Sequence, residues 1–183
     1  MMKIGSGKHA ARENEPVSGE ETLLVQSLMT PSPATVTPED HLNVAASRLW
    51  DQDCGALPVI DGSSVVVGVL TDRDICMATW SRATTPELIP VKDAMSMKLV
   101  SCRADDTINE ALAAMRSNQV RRLPVVDDEQ RLVGMLSLAD IVQSAHLRQD
   151  DAEALGRAVV STLGVICQRP VLIPGGADRP SLL

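Results

Sequence analysis

The apolar positions of this chain follow one pattern, laid down twice. Leu42, Ala45, Ala46, Leu49 and Trp50 recur at three- and four-residue spacing, which predicts a helix with a single apolar face. Before them, Thr37-Pro38-Glu39-Asp40 offers an N-cap hydroxyl, a proline at the first helical position and acid in the first turn. Two near-continuous apolar runs follow, Ala56–Ile60 and Val65–Leu70, which predict strands buried on both faces, with a turn at Asp61-Gly62. Thr71-Asp72-Arg73-Asp74 then opens a second helix.

Residues 25–75 align with 91–141 at a constant offset of 66 positions without a gap, and 14 of the 51 pairs are identical. Leu57-Pro58-Val59 falls on Leu123-Pro124-Val125, Val67-Gly68 on Val133-Gly134, and Asp74-Ile75 on Asp140-Ile141. The same strand, helix, strand, strand, helix unit is therefore expected twice. Proline in a strand is confined to places that need no backbone donor, so Pro58 and Pro124 should lie where the ladder lacks one. A unit of some 50 residues buries too little surface to stand alone, and the two should pack together. The expected organisation is a polar, disordered arm over 1–20, a first unit over 21–80, a linker over 81–90 and a second unit over 91–147. Residues 148–183 supply a C-terminal helix and tail, the helix carrying Leu155, Val159, Thr162, Leu163 and Ile166 along one side.

Composition narrows what such a pair can do. Phe and Tyr are absent and Trp50 and Trp80 are the sole aromatics, so the core must be aliphatic and aromatic stacking of successive bases is excluded. A net charge of −7 is opposed to the continuous basic patch of a nucleic-acid interface. The chain has no apolar run long enough to span a membrane, and its opening residues have no secretory core, so a cytoplasmic location is expected. Cys54, Cys76, Cys102 and Cys167 form no C-x-x-C pair and the three histidines are scattered, so no metal site is expected. There is no Walker A loop, nucleophile elbow or zinc-hydrolase signature, and no catalytic residue is assigned.

Gly-Ala-Leu-Pro-Val-Ile-Asp followed by Gly-Val-Leu-Thr-Asp-Arg-Asp-Ile, matched by Val-Arg-Arg-Leu-Pro-Val-Val-Asp followed by Gly-Met-Leu-Ser-Leu-Ala-Asp-Ile, resembles a tandem CBS pair, or Bateman module, over roughly residues 22–147. The resemblance implies an α/β fold of two β-α-β-β-α domains packed about a pseudo-two-fold axis, with two clefts between them and a short C-terminal helix appended. It also implies a homodimer, a regulatory role towards a partner protein, and a ligand drawn from AMP, ADP, ATP, S-adenosylmethionine and NADH, with no cofactor required.

Thr71 with Asp74, and Ser137 with Asp140, each place a hydroxyl at a helix start and a carboxylate three residues on. A helix N-terminus suits phosphate, and an ionised aspartate can accept both hydroxyls of a ribose diol. The same spacing is also a helix capping box that needs no ligand. Arg73, Arg121 and Arg122 are candidate phosphate cations, because guanidinium holds phosphate oxygens in a fork. By resemblance, adenine would lie near Thr35, Val36, Ala56, Leu57 and Pro58, and near Ser101, Cys102, Leu123 and Pro124. The copies differ at 55–56 against 121–122 and at 72–73 against 138–139, which predicts two unequal clefts. The alternative function is a ligand-independent dimeric scaffold.

Overall fold

The computed structural model describes residues 23–147 and 152–168; the polar arm and the tail beyond the last helix lie outside them. In chain order the elements are β1 (Thr30–Pro31), α1 (Leu42–Asp51), β2 (Ala56–Ile60), β3 (Val66–Thr71), α2 (Asp72–Arg82), β4 (Cys102–Arg103), α3 (Ile108–Asn118), β5 (Arg122–Val126), β6 (Leu132–Ser137), α4 (Leu138–Leu147) and α5 (Ala152–Ile166). The two-unit α/β architecture is that expected from the repeat, and α5 that expected from the amphipathic stretch after it.

Each unit is built around an antiparallel hairpin, β2 with β3 and β5 with β6, paired in the same register at the 66-residue offset. The Asp61 carboxylate closes the first hairpin by accepting from the Ser63 and Val65 amides, and Asp127 does the same for Glu129 and Arg131. The outer neighbour of β5 is β4, parallel to it; the outer neighbour of β2 is reduced to a parallel bridge at Val36. There Val36 donates to the Pro58 carbonyl and accepts from the Ile60 amide, so the missing N–H of Pro58 falls before the pairing begins.

On the other side of each hairpin the units exchange strands. β1, at the start of the first unit, pairs with β6 of the second, Thr30 opposite Met135; Ser96, near the start of the second unit, pairs with Val69 of the first. The cores follow the exchange. Val25 is buried with Ile108, Leu112, Leu123 and Leu136, while Ile89 and Val91 are buried with Leu42, Leu57 and Leu70. Gly68 and Gly134 are the crossing points: a Cβ on Gly68 would stand 2.9 Å from the Ser96 carbonyl oxygen, and one on Gly134 3.2 Å from that of Thr30. The pseudo-two-fold axis passes between Val65 and Arg131, which face each other across an antiparallel bridge.

One local expectation is corrected. Thr37 does not cap α1. Its amide and the Asp40 carboxylate close a turn at 2.7 Å, and the helix begins at Leu42, whose amide is taken by the Ile89 carbonyl of the exchanged segment. The second unit makes the same turn, Arg103 amide to Asp106, but there Thr107 and Glu110 form a full capping box on α3.

The units also differ outside. α5 packs on α3 and α4, burying Val159 and Thr162, whose hydroxyl donates back to the Ala158 carbonyl. In the first unit α1 and α2 carry the two tryptophans, Trp50 86 % and Trp80 75 % exposed. Among the described residues no helix is long and apolar enough to cross a membrane, and no group of three His, Cys, Asp or Glu side chains converges as a metal site would.

Candidate functional site

A cleft of about 220 Å³ opens where the units meet. The end of β3 and the start of α2 bring Thr71, Asp74 and Val69, the last on the same strand face as Thr71 by the two-residue period. The start of β2 adds Ala56. From the second unit come Val120, Arg121 and Arg122, which lead into β5, and the exchanged segment adds Ser96, Lys98 and Val100. The walls are thus valine and alanine, and the polar groups are two hydroxyls, a carboxylate and three cations.

Both Thr71 and Asp74 are held in place by each other. Asp74 Oδ2 accepts from the Thr71 hydroxyl at 2.6 Å and its amide at 2.9 Å, and the Asp74 amide returns a bond of 3.2 Å to Thr71 Oγ1. Ser137 and Asp140 repeat this at the start of α4, with 2.8, 2.8 and 3.2 Å. The capping-box reading of the motif is therefore realised in both copies. It does not compete with binding, because the box fixes the rotamer of an aspartate that otherwise would have to be ordered by the ligand.

The candidate residues divide. Thr71, Asp74, Ala56, Arg121 and Arg122 are brought together in the one cleft. Ser137 and Asp140 sit at the related position of the other unit, and Arg73 is exposed on the first turn of α2, outside the lining of this cleft. Val36, Leu57 and Leu123 are fully buried in the two cores, and Cys102 nearly so. Burial, with the Asp106 carboxylate as a second cause, pushes the Cys102 thiol up to about 12. Pro58 and Pro124 are buried within their strands, the Thr35 carbonyl accepts from the Arg48 guanidinium, and Ser101 is half-buried ahead of β4. Val69, Ser96, Lys98, Val100 and Val120 line the cleft without having been singled out in the sequence. Strand alternation from Thr71 could have found Val69, and adjacency to Arg121 could have found Val120; the other three enter through the strand exchange.

The clefts are unequal at the level of charge. Lys98, Arg121 and Arg122 correspond at the 66-residue offset to Ser32, Gly55 and Ala56. Arg122 bridges the difference: its guanidinium lies on Gly55, Nη2 2.9 Å from where a Cβ would stand.

Two strand-exchanged α/β units with a cleft at their junction define a tandem domain pair. The chain belongs to the CBS domain family, whose model matches residues 25–80 and again 91–146. It is 35 % identical over 131 residues to the CBS domain-containing protein YhcV of Bacillus subtilis, covering 72 % of this chain and 91 % of that protein. It is also 35 % identical over 127 residues to the inosine-5'-monophosphate dehydrogenase of Methanocaldococcus jannaschii, but spans 24 % of that enzyme's length. Among solved structures, Hypoxic Response Protein I with two coordinated zinc ions is similar with a TM-score of 0.60 and 30 % identity, over 66 % of this chain and 97 % of that one. CBSX2 in complex with AMP gives a TM-score of 0.60 and 25 % identity over 69 % and 99 %.

Proposed function

We propose that this CBS pair is a regulatory ligand-sensing module that binds an adenine nucleotide or a related adenosyl compound in the cleft between its units and transmits occupancy to a partner protein or to its own dimer. The observation that carries the reading is the convergence of Thr71 and Asp74 from one unit with Arg121 and Arg122 from the other on a single apolar-walled cavity. In this reading Val69, Val100, Val120 and Ala56 flank the base, Asp74 accepts from the ribose diol, and the α2 N-terminus with the guanidinium groups meets phosphate. The complex of CBSX2 with AMP supports it. The ligand is drawn from AMP, ADP, ATP, S-adenosylmethionine and NADH; the module works in the cytoplasm, requires no cofactor and performs no chemical step.

A ligand that contacts both units favours the arrangement in which the contacts fit, in proportion to its differential affinity for the two states. At ~100 times its Kd it stabilises the fold by about 2.7 kcal/mol, a rise of roughly 5–11 °C in melting temperature for a chain of this size. Differential scanning fluorimetry with the five compounds is the test. Melting that none of them moves sinks the ligand reading and leaves the alternative, a ligand-independent dimeric scaffold.

A further inference from the structure

Resting on the nucleotide reading above, we infer that the cleft selects for the length of the phosphate chain: it takes an adenosine di- or triphosphate in preference to a monophosphate or S-adenosylmethionine, one molecule per chain. The inference starts from where the cations are and what they touch. Eleven Lys and Arg residues fall among the described ones. Arg48, Arg82, Lys92, Arg103, Arg131 and Arg157 are each in an ion pair with a carboxylate. Of the five that have no such partner among the described residues, Arg73, Lys98, Arg116, Arg121 and Arg122, three line this one cleft. In a chain whose net charge is −7, gathering three uncompensated cations against the single carboxylate Asp74 costs mutual repulsion that an anionic ligand removes.

Geometry sorts these groups by depth. Ala56 is buried, Val69, Val100, Val120, Thr71 and Asp74 are half-buried, and Lys98 and Arg121 are exposed. A volume of about 220 Å³ is below the roughly 300–1,000 Å³ of a site that encloses a drug-sized ligand. It therefore encloses a nucleoside-sized body and leaves the rest of the ligand at the exposed rim, where Lys98 and Arg121 stand. A first phosphate lies near the α2 N-terminus and the half-buried Arg122; each further phosphate adds charge at the rim. S-adenosylmethionine brings a sulfonium and an ammonium to the same cations and is disfavoured.

The position related to this cleft by the 66-residue offset does not repeat the arrangement. Ser32, Gly55 and Ala56 replace the three cations, while Asp140 keeps its carboxylate. Arg122 itself reaches towards that position, lying on Gly55. A single guanidinium cannot serve two polyphosphates at once, which sets the stoichiometry at one.

The experiment is isothermal titration calorimetry of the full chain with AMP, ADP, ATP and S-adenosylmethionine at 50 mM and at 300 mM salt, repeated on Lys98→Met, Arg121→Gln and the double variant. Expected are a gain on the order of tenfold from AMP to ATP at low salt, a stoichiometry of one, and a preference that shrinks at high salt. The double variant should lose most of the ATP-over-AMP ratio, and unchanged melting of the unliganded variant shows that it folds. AMP binding as tightly as ATP, S-adenosylmethionine binding tighter than either, two ATP per chain, or a double variant that keeps the ratio overturns the inference while nucleotide binding itself stands. No heat and no melting shift with any of the four compounds overturns both.

Discussion

Gly68→Ala tests the strand exchange on which the cleft depends. A Cβ at this position stands 2.9 Å from the Ser96 carbonyl oxygen and 3.0 Å from Met95 Sδ. The sulfur can swing away, but the carbonyl is backbone, and it is held by the Val69 amide at 3.1 Å while the Ser96 amide donates to Val69 at 2.9 Å. To reach ordinary van der Waals distance the segment must retreat by about half an ångström, which stretches both bonds. Overpacking of this kind costs about 1–3 kcal/mol, and two weakened hydrogen bonds add roughly 1 kcal/mol. The lower entropy of an unfolded chain with alanine offsets about 0.4–1 kcal/mol. The net loss is roughly 1–3.6 kcal/mol, or about 2–14 °C in melting temperature. Gly134→Ala is the internal control. Its nearest neighbour, Met29 Sδ at 2.6 Å, is the end of a flexible side chain, and the carbonyl of Thr30 is further away at 3.2 Å. Calorimetric melting of both variants, with hydrogen exchange at the Val69 and Ser96 amides, is the assay. If Gly68→Ala melts at or above the parent temperature, or Gly134→Ala loses more, the account of the crossing is wrong.

Thiol chemistry checks the burial of the core. Cys76 and Cys167 are exposed and Cys102 is buried, its thiol pushed up to about 12, so at pH 8 Ellman's reagent should label the first two quickly and Cys102 only as the protein unfolds; rapid native labelling of Cys102 contradicts the packing of β4. The capping box on α3 gives a pH signature. The Thr107 amide, and then its hydroxyl, hold the Glu110 carboxyl below its ordinary value of 4.5. A depressed folded value means the contribution is present above about pH 4.5 and is lost as pH falls through the lower folded value. Glu110→Gln should therefore narrow its stability deficit against the parent as pH drops from 6 to 3, measured by urea melts; a deficit constant over that range removes the carboxylate from the cap.

How far the sequence carries depends on whether a feature is local. The repeat, the hairpin strands and the Thr71–Asp74 and Ser137–Asp140 boxes are set by residues a few positions apart, and each was legible. β2 runs from Ala56 to Ile60, the span its apolar run predicts, and the Asp61 turn follows where expected. The start of α1 was not legible, because Thr37-Pro38 has the composition of a cap while the first helical amide is taken by Ile89, nearly fifty residues away. Assigning Val36, Leu57, Cys102 and Leu123 to an adenine pocket met the same obstacle: an apolar residue beside a site and one in the core carry the same signal, and only the packing tells that these four belong to the cores.

Strand exchange explains why the cleft was only half visible, and it also bears on how the protein would signal. Thr71 and Asp74 belong to the first unit, Arg121 and Arg122 to the second, and Ser96 and Lys98 to a segment that starts the second but is paired through Ser96 to the first. No unit holds the whole constellation. Any change in the angle between the units moves the carboxylate at the start of α2 relative to the cations ahead of β5. A ligand bound to both therefore has unequal affinity for the two angles, which is the one requirement for occupancy to shift a conformational equilibrium. The Val69 to Ser96 bridge opposes sliding of the units, since sliding would break the pairing. The asymmetric charges then matter for a second reason. On the proposed reading, with the cations concentrated on one side of the pseudo-two-fold axis, a polyphosphate would draw one cleft closed and leave the other to follow, so the pair would respond as a lever and not as a symmetric clamp.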